Sequence, residues 1–158
     1  MVSATFPNKD SADFAMTIGV ENVSVGIDGF ALGTFNFNGG IGSFISGANN
    51  SNTGDFANVL GFGNKNSGGT AVIIGSTNKA QDSGVLLGYG NELYNSASSL
   101  IGQNSIAIGG YNKMYSNSGM NIGTSHESRG LYCTNIGYRN KTYGKNGISI
   151  GSMINNNW

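Results

Sequence analysis

Apolar residues recur along this chain on a short, strict spacing. Start at the glycine of Thr17-Ile18-Gly19 and step by seven: Gly19, Gly26, Gly33 and so on to Gly75, then Asp82. One residue is then dropped, and the series runs from Gly88 to Gly151. Of the 20 positions, 17 are glycine, and the rest are Asp82, Asn95 and Ser116, all turn-forming types. One residue before the strong glycines stand Ile18, Val25, Leu32, Leu60, Ile74, Leu87, Ile101, Ile108, Ile122, Ile136 and Ile150, with Ser46 as the exception. Three before stand Met16, Val23, Phe30, Phe44, Val72, Val85, Ile106, Met120 and Ile148. Four before, the residue is nearly always small, as in Ala15, Ser43, Ala57, Ala71, Ser105, Cys133 and Gly147.

Alternate residues of a strand share a face, so each unit predicts a short strand closed by a glycine turn. Seven residues leave no room for a crossover helix. Two units fit one 14-residue coil of a narrow solenoid, and the expected fold is an all-β parallel β-roll. The repeat spans residues 16–152. Residues 1–15 fall outside it as an attachment or capping segment, and residues 153–158 as a C-terminal cap, with Met153, Ile154 and Trp158 covering the last coil. Between Gly102 and Gly109 the strong units are only seven apart, which leaves two readings: the apolar side swaps, or one coil carries an extra half-turn.

The two halves of a coil differ. In the strong half the intervening residues Ile45, Val59, Ile73, Leu86 and Leu100 are apolar as well. These five are expected to form a stripe without cover inside the chain. Leaving them exposed would forgo roughly 1.5–3 kcal/mol each, so the stripe predicts a parallel homotrimer packed through them. The weak half carries Lys65, Lys79, Glu92, Lys113, Glu127 and Lys141 three before its turns, read as a solvated column on the opposite sheet.

Composition narrows the function classes. Charged residues are 10% with no net charge, which disfavours nucleic acid. One proline and no three-residue glycine period exclude collagen. The single cysteine forms no intrachain disulfide, and no apolar stretch approaches the ~18–20 residues of a membrane helix. The opening residues lack the pattern of a signal peptide.

The chemistry of an enzyme is hard to assemble from these residues. His126 occupies the slot otherwise held by asparagine and reads as a turn residue. Cys133 falls in the small-residue column with no base beside it in sequence. Gly61-Phe62-Gly63 and Gly88-Tyr89-Gly90 do not extend to a phosphate-loop motif. No aspartate ladder marks calcium sites, no threonine ladder marks an ice-binding face, and the period is not that of acyltransferase β-helices. No cofactor and no metal are expected. Outward aromatics at coil corners, Phe62, Tyr89, Tyr111 and Tyr138, are the candidate ligand contacts.

The segment Asn104-Ser105-Ile106-Ala107-Ile108-Gly109 resembles the NSVAIG signature of the heads of YadA-like trimeric autotransporter adhesins. Asn22-Val23-Ser24-Val25-Gly26 and Asn146-Gly147-Ile148-Ser149-Ile150-Gly151 are weaker copies. A G-x-x-N step recurs at Gly19/Asn22, Gly33/Asn36, Gly47/Asn50, Gly61/Asn64, Gly75/Asn78, Gly88/Asn91, Gly109/Asn112 and Gly137/Asn140. The resemblance covers roughly residues 16–154. It implies a left-handed roll, three chains about an axis, and binding without catalysis; the handedness comes from it alone. Stalk heptads, an anchor barrel and an export signal are not seen in the sequence. The expectation is therefore a trimeric fibre or tip module of a phage or phage-like particle, located on that particle, gripped by other particle or stalk proteins through residues 1–15. The alternative is the head of a bacterial cell-surface adhesin. Either would meet a cell-surface glycan or protein.

Overall fold

In a computed structural model the chain is a parallel β-solenoid. The structure describes residues 8–94, 104–115 and 118–157. Two sheets face each other. One holds ten long strands, from Met16–Val20 to Ile148–Ser152; the other holds eleven two-residue strands, from Lys9–Asp10 to Asn155–Asn156. Long and short strands alternate along the chain, and every rung pairs in parallel with the next. The turn glycines stack in register: Gly19 on Gly33, Gly33 on Gly47, and onward to Gly137 on Gly151.

The deleted residue shortens one coil, so that Gly75 pairs with Gly88. The next rung resolves the two readings left open by the spacing. Gly88 pairs with Gly109 and Leu86 with Ala107, so one coil carries seven additional residues and the apolar side does not swap. The unit ending at Gly102, with Leu100, lies outside the described residues.

Lattice glycines of both sheets sit where the next coil leaves no room for a Cβ, which on Gly61 would lie 1.9 Å from Gly75 O, and those that end long strands meet a second need as well. Those that end long strands have φ values such as +122° at Gly61, a region that only glycine enters readily. Those that follow short strands have no positive φ. They are glycine for want of space: a Cβ on Gly26 would lie 2.1 Å from the carbonyl oxygen of Gly40 in the next coil. Among the described residues positive φ also falls on 14 non-glycine residues, at corners of the coil, including Phe35, Thr77 and Tyr111. At the corners after the long strands the cost is offset by backbone bonds to the preceding coil, such as Phe35 N–H to Val20 O at 2.9 Å and Tyr111 N–H to Tyr89 O at 3.0 Å.

The repeat reaches beyond the ends that spacing alone marks. Lys9–Asp10 pairs with Val23–Ser24, and Asn8 already accepts the N–H of Asn22 at 3.0 Å, so residues 8–15 belong to the roll. At the other end Asn155–Asn156 is a further rung on Lys141–Thr142. Ile154 closes the asparagine column, its N–H bonded to Asn140 Oδ1 at 3.0 Å. Met153 instead points outward at a corner, and Trp158 lies outside the described residues.

Candidate interaction surfaces

Which way each side chain faces decides what the surface can do. Ile45, Val59, Ile73 and Leu86 are 0% exposed within the single chain, in one column with Ala31 and Ala107. They face the short sheet across the interior. The expectation that they form an uncovered stripe is therefore corrected: their own chain covers them, and they offer nothing to a neighbour. The small-residue column turns inward with them at Ser43, Ala57, Ala71, Ser105 and Cys133.

The outward face of the long sheet is made by the residues on either side. Met16, Phe30, Phe44, Val72, Val85, Ile106, Met120 and Ile148 stack in one outer column, which Asn58 and Thr134 interrupt. Ile18, Leu32, Leu60, Ile74, Leu87, Ile108, Ile122, Ile136 and Ile150 stack in the other, which Ser46 interrupts. Their exposure is high for branched apolar side chains: 44% at Ile18, 46% at Ile74 and 64% at Ile150. Phe30 and Phe44 stack in parallel, centroids 5.3 Å apart. With ten strands at about 4.8 Å spacing, this apolar face is about 43 Å long.

The G-x-x-N step is a buried ladder rather than a surface turn. Asn22, Asn36, Asn50, Asn64, Asn78, Asn91, Asn112 and Asn140 are all buried. Asn36 shows the rung: its N–H and Nδ2 donate to Asn22 Oδ1 at 3.1 and 3.0 Å, and Nδ2 also donates to Gly47 O of the next coil at 2.8 Å. His126 takes one rung. Its N–H donates to Asn112 Oδ1 at 3.1 Å, Nδ1 accepts from Asn140 N–H at 3.1 Å, and Nε2 donates to Ile122 O at 3.0 Å. This set fixes a neutral ring, and burial pushes its pKa below the ordinary value. His126 is thus a structural rung. Cys133 is buried with Sγ 3.2 Å from Gly144 O, and burial pushes its thiol pKa up. Both effects oppose a nucleophilic role.

Of the four corner aromatics, the structure brings two together. Tyr89 and Tyr111 meet edge to face at 4.9 Å. Each ring lies against a glycine of the other's coil: a Cβ on Gly110 would be 2.6 Å from Tyr89, and one on Gly90 2.7 Å from Tyr111. Phe62 stands apart, 54% exposed, and Tyr138 lies under the Arg139 guanidinium at 5.1 Å. They form no single platform. The short sheet carries the charged column as expected: Lys65, Lys79, Glu92, Lys113, Glu127 and Lys141 stack in register and face out.

Beside that column lies a cluster the spacing did not single out as a site. Tyr94 and Tyr115 stack at 4.4 Å with planes 4° apart. The Lys79 ammonium sits 5.7 Å from Tyr94, and the Arg129 guanidinium lies 5.1 Å from Tyr115 and 5.7 Å from Tyr143. Tyr94 also bonds Glu92. The signal was present as tyrosines two residues after the charged positions, but the 21-residue step between Asn91 and Asn112 in the ladder hides that Tyr94 and Tyr115 are neighbours.

The NSVAIG-like segment sits as a long strand, with Ser105 and Ala107 buried inside and Ile106 and Ile108 outside. Asn22–Gly26, its weaker copy, belongs instead to a short strand at Val23–Ser24. No protein-family model matches the chain, and the searches of curated proteins and of solved structures found no match either.

Proposed function

We propose that this protein is a non-enzymatic module of a trimeric fibre: a left-handed roll whose outward long-sheet face packs around a three-fold axis and whose other faces meet a receptor. The reading is supported above all by that apolar face, about 43 Å long at about 4.8 Å per coil. A patch of this extent on one side of a rod is a docking face, and cyclic symmetry lets a single face serve two neighbours. The number three and the handedness rest on the resemblance to YadA-like heads. The setting we favour is the fibre or tip of a phage-like particle. The buried Ser105/Ala107 and outward Ile106/Ile108 alternation within Asn104–Gly109 also favours a second setting, the head of a bacterial adhesin. Both use the same interface.

The test separates association from folding. Ile74→Asp with Leu87→Asp changes only outward residues, so the circular-dichroism spectrum should keep its β signature while light scattering falls from trimer to monomer. An unmodified protein that is a folded monomer at micromolar concentration overturns the reading. Immunogold labelling of intact particles against labelling of cell surfaces distinguishes the two settings.

A further inference from the structure

The balanced net charge of this chain conceals a lengthwise separation. Up to residue 64 there is one basic residue, Lys9, against five acidic ones, Asp10, Asp13, Glu21, Asp28 and Asp55. From Lys65 onward seven basic residues stand against Asp82, Glu92 and Glu127. The outer face of the short sheet follows this division. After Lys9 on the first rung, its early rungs carry Val23, Phe37 and Ser51, whereas its later rungs carry Lys65, Lys79, Glu92, Lys113, Glu127 and Lys141. Two residues further on, and therefore on the same face, come Tyr94, Tyr115, Arg129 and Tyr143.

The strip is net positive, with Lys65, Lys79, Lys113, Arg129 and Lys141 against Glu92 and Glu127, although from Lys79 to Lys141 the in-register charges alternate in sign. Lys65 and Lys79 are in-register neighbours, a like-charge pairing that disfavours the sheet. Glu127 takes both Arg129, at 2.6 Å, and Lys141, at 3.9 Å. No ion pair among the described residues reaches Lys65, Lys79 or Lys113. The strip's rungs pair in register from coil to coil, at a spacing of about 4.8 Å.

We infer that this strip binds a linear acidic polysaccharide with carboxylates on its sugar rings. Lys65, Lys79 and Lys113, which no carboxylate of the described residues pairs, suit carboxylates set at intervals along an extended chain. Tyrosine hydroxyls and the interleaved Glu92 and Glu127 suit the hydroxyls between them. A duplex carries about one charge per 1.7 Å of axis, far denser than five cations offset by Glu92 and Glu127 can match, and this favours a uronate polymer over nucleic acid. An extended hexose chain advances by a step close to the spacing between coils, so successive sugars meet successive rungs. The inference deepens the receptor-presenting reading and rests on it for biological setting only, since the strip is on the sheet opposite the proposed trimer face.

Calorimetric titration of the full chain at low salt with polygalacturonate, dextran and duplex DNA tests it. Polygalacturonate should bind with an affinity that falls as salt rises, and dextran should not bind. Lys79→Gln with Lys113→Gln should weaken that binding by at least about tenfold, and Tyr115→Ala should weaken it also, with the spectrum and oligomeric state unchanged. Absent binding of polygalacturonate, equal binding of dextran, tighter binding of DNA, or an unaffected double variant each overturns the inference. Light scattering on the same samples keeps the two readings apart. A trimer that ignores polygalacturonate removes the ligand alone, and a monomer that binds it removes the fibre.

Discussion

The middle and the C-terminal coils of this roll share one backbone and have opposite interiors. From Ile73 to Met114 the inner columns hold Ile73, Ala80, Leu86, Leu93, Ala107 and Met114, all buried. From Asn121 to Ser149 the same columns hold Asn121, Ser128, Asn135, Thr142 and Ser149, equally buried. These polar groups pair with one another. Ser128 donates to Asn121 Oδ1 at 2.7 Å, Asn135 Nδ2 donates to Ser128 Oγ at 2.8 Å and to Asn121 Oδ1 at 3.0 Å, and Thr142 donates to Asn135 Oδ1 at 2.6 Å. The strands on either side keep the same register through both regions. Coil geometry is therefore set by the backbone ladders, the glycine turns and the asparagine column. The interior needs only to be full and fully paired. The first coils mark the limit of that rule, since the buried hydroxyls of Thr17 and Ser24 have no partner.

The two interiors should fail differently. The largest effect is expected in the apolar stretch: Ile73→Asp with Leu86→Asp places two charges where no partner exists, each costing several kcal/mol against a domain stability of about 5–15 kcal/mol. The variant should show no cooperative thermal transition, in contrast to the folded monomer expected of the outward pair Ile74 and Leu87. Next comes Asn135→Leu, a change that would be conservative in the middle coils. Here it removes three buried hydrogen bonds, to Asn121 Oδ1, Ser128 Oγ and Thr142 Oγ1, while Ser128 keeps Asn121 and Thr142 keeps Ser149, and should cost about 2–4 kcal/mol in urea unfolding at about 0.5–1.5 kcal/mol for each bond. A neutral outcome would show that the network is not what holds these coils.

The smallest effect concerns the His126 rung. The folded state keeps this ring neutral, with its pKa held below 6.5 by burial. The unfolded chain takes up the proton first as pH falls, so the rung's contribution is complete above about 6.5 and is lost progressively below it. Protonation also removes the Nδ1 acceptor used by Asn140. His126→Asn restores the prevailing rung and should flatten stability between pH 7 and pH 5, as followed by urea midpoints. Equal slopes for both proteins would remove His126 as the titrating group.

How much of this was legible follows from the same contrast. The period, the parallel coils, the shortened coil and the asparagine step are all written in spacing, because close approach between coils favours glycine at the turns and the ladder favours asparagine three residues on. Facing was not legible. In the middle coils all three positions of Val72-Ile73-Ile74 are apolar, so alternation is silent. In the C-terminal coils Met120-Asn121-Ile122 and Ile148-Ser149-Ile150 alternate clearly, but in the inverted sense, with the polar residue inside. A rule that places apolar side chains inward reads those coils backward, and only the ladder of partners explains why. The charged column was legible because lysine and glutamate have no such alternative. Its tyrosine neighbours were not, because the lengthened coil breaks their period.

The corners carry a consequence of a different kind. Glu21, Phe35, Asn49, Thr77, Tyr111, Ser125, Arg139 and Met153 occupy equivalent positions with φ between 52° and 61°. Acid, base, ring, amide, hydroxyl and thioether all stand on the same backbone, because main-chain N–H groups and not side chains hold the bend. A mutation at such a site alters what a passing surface meets while leaving the scaffold's own bonds untouched. These positions can thus vary independently, one coil at a time, without the compensating substitutions that a change in a packed cleft demands.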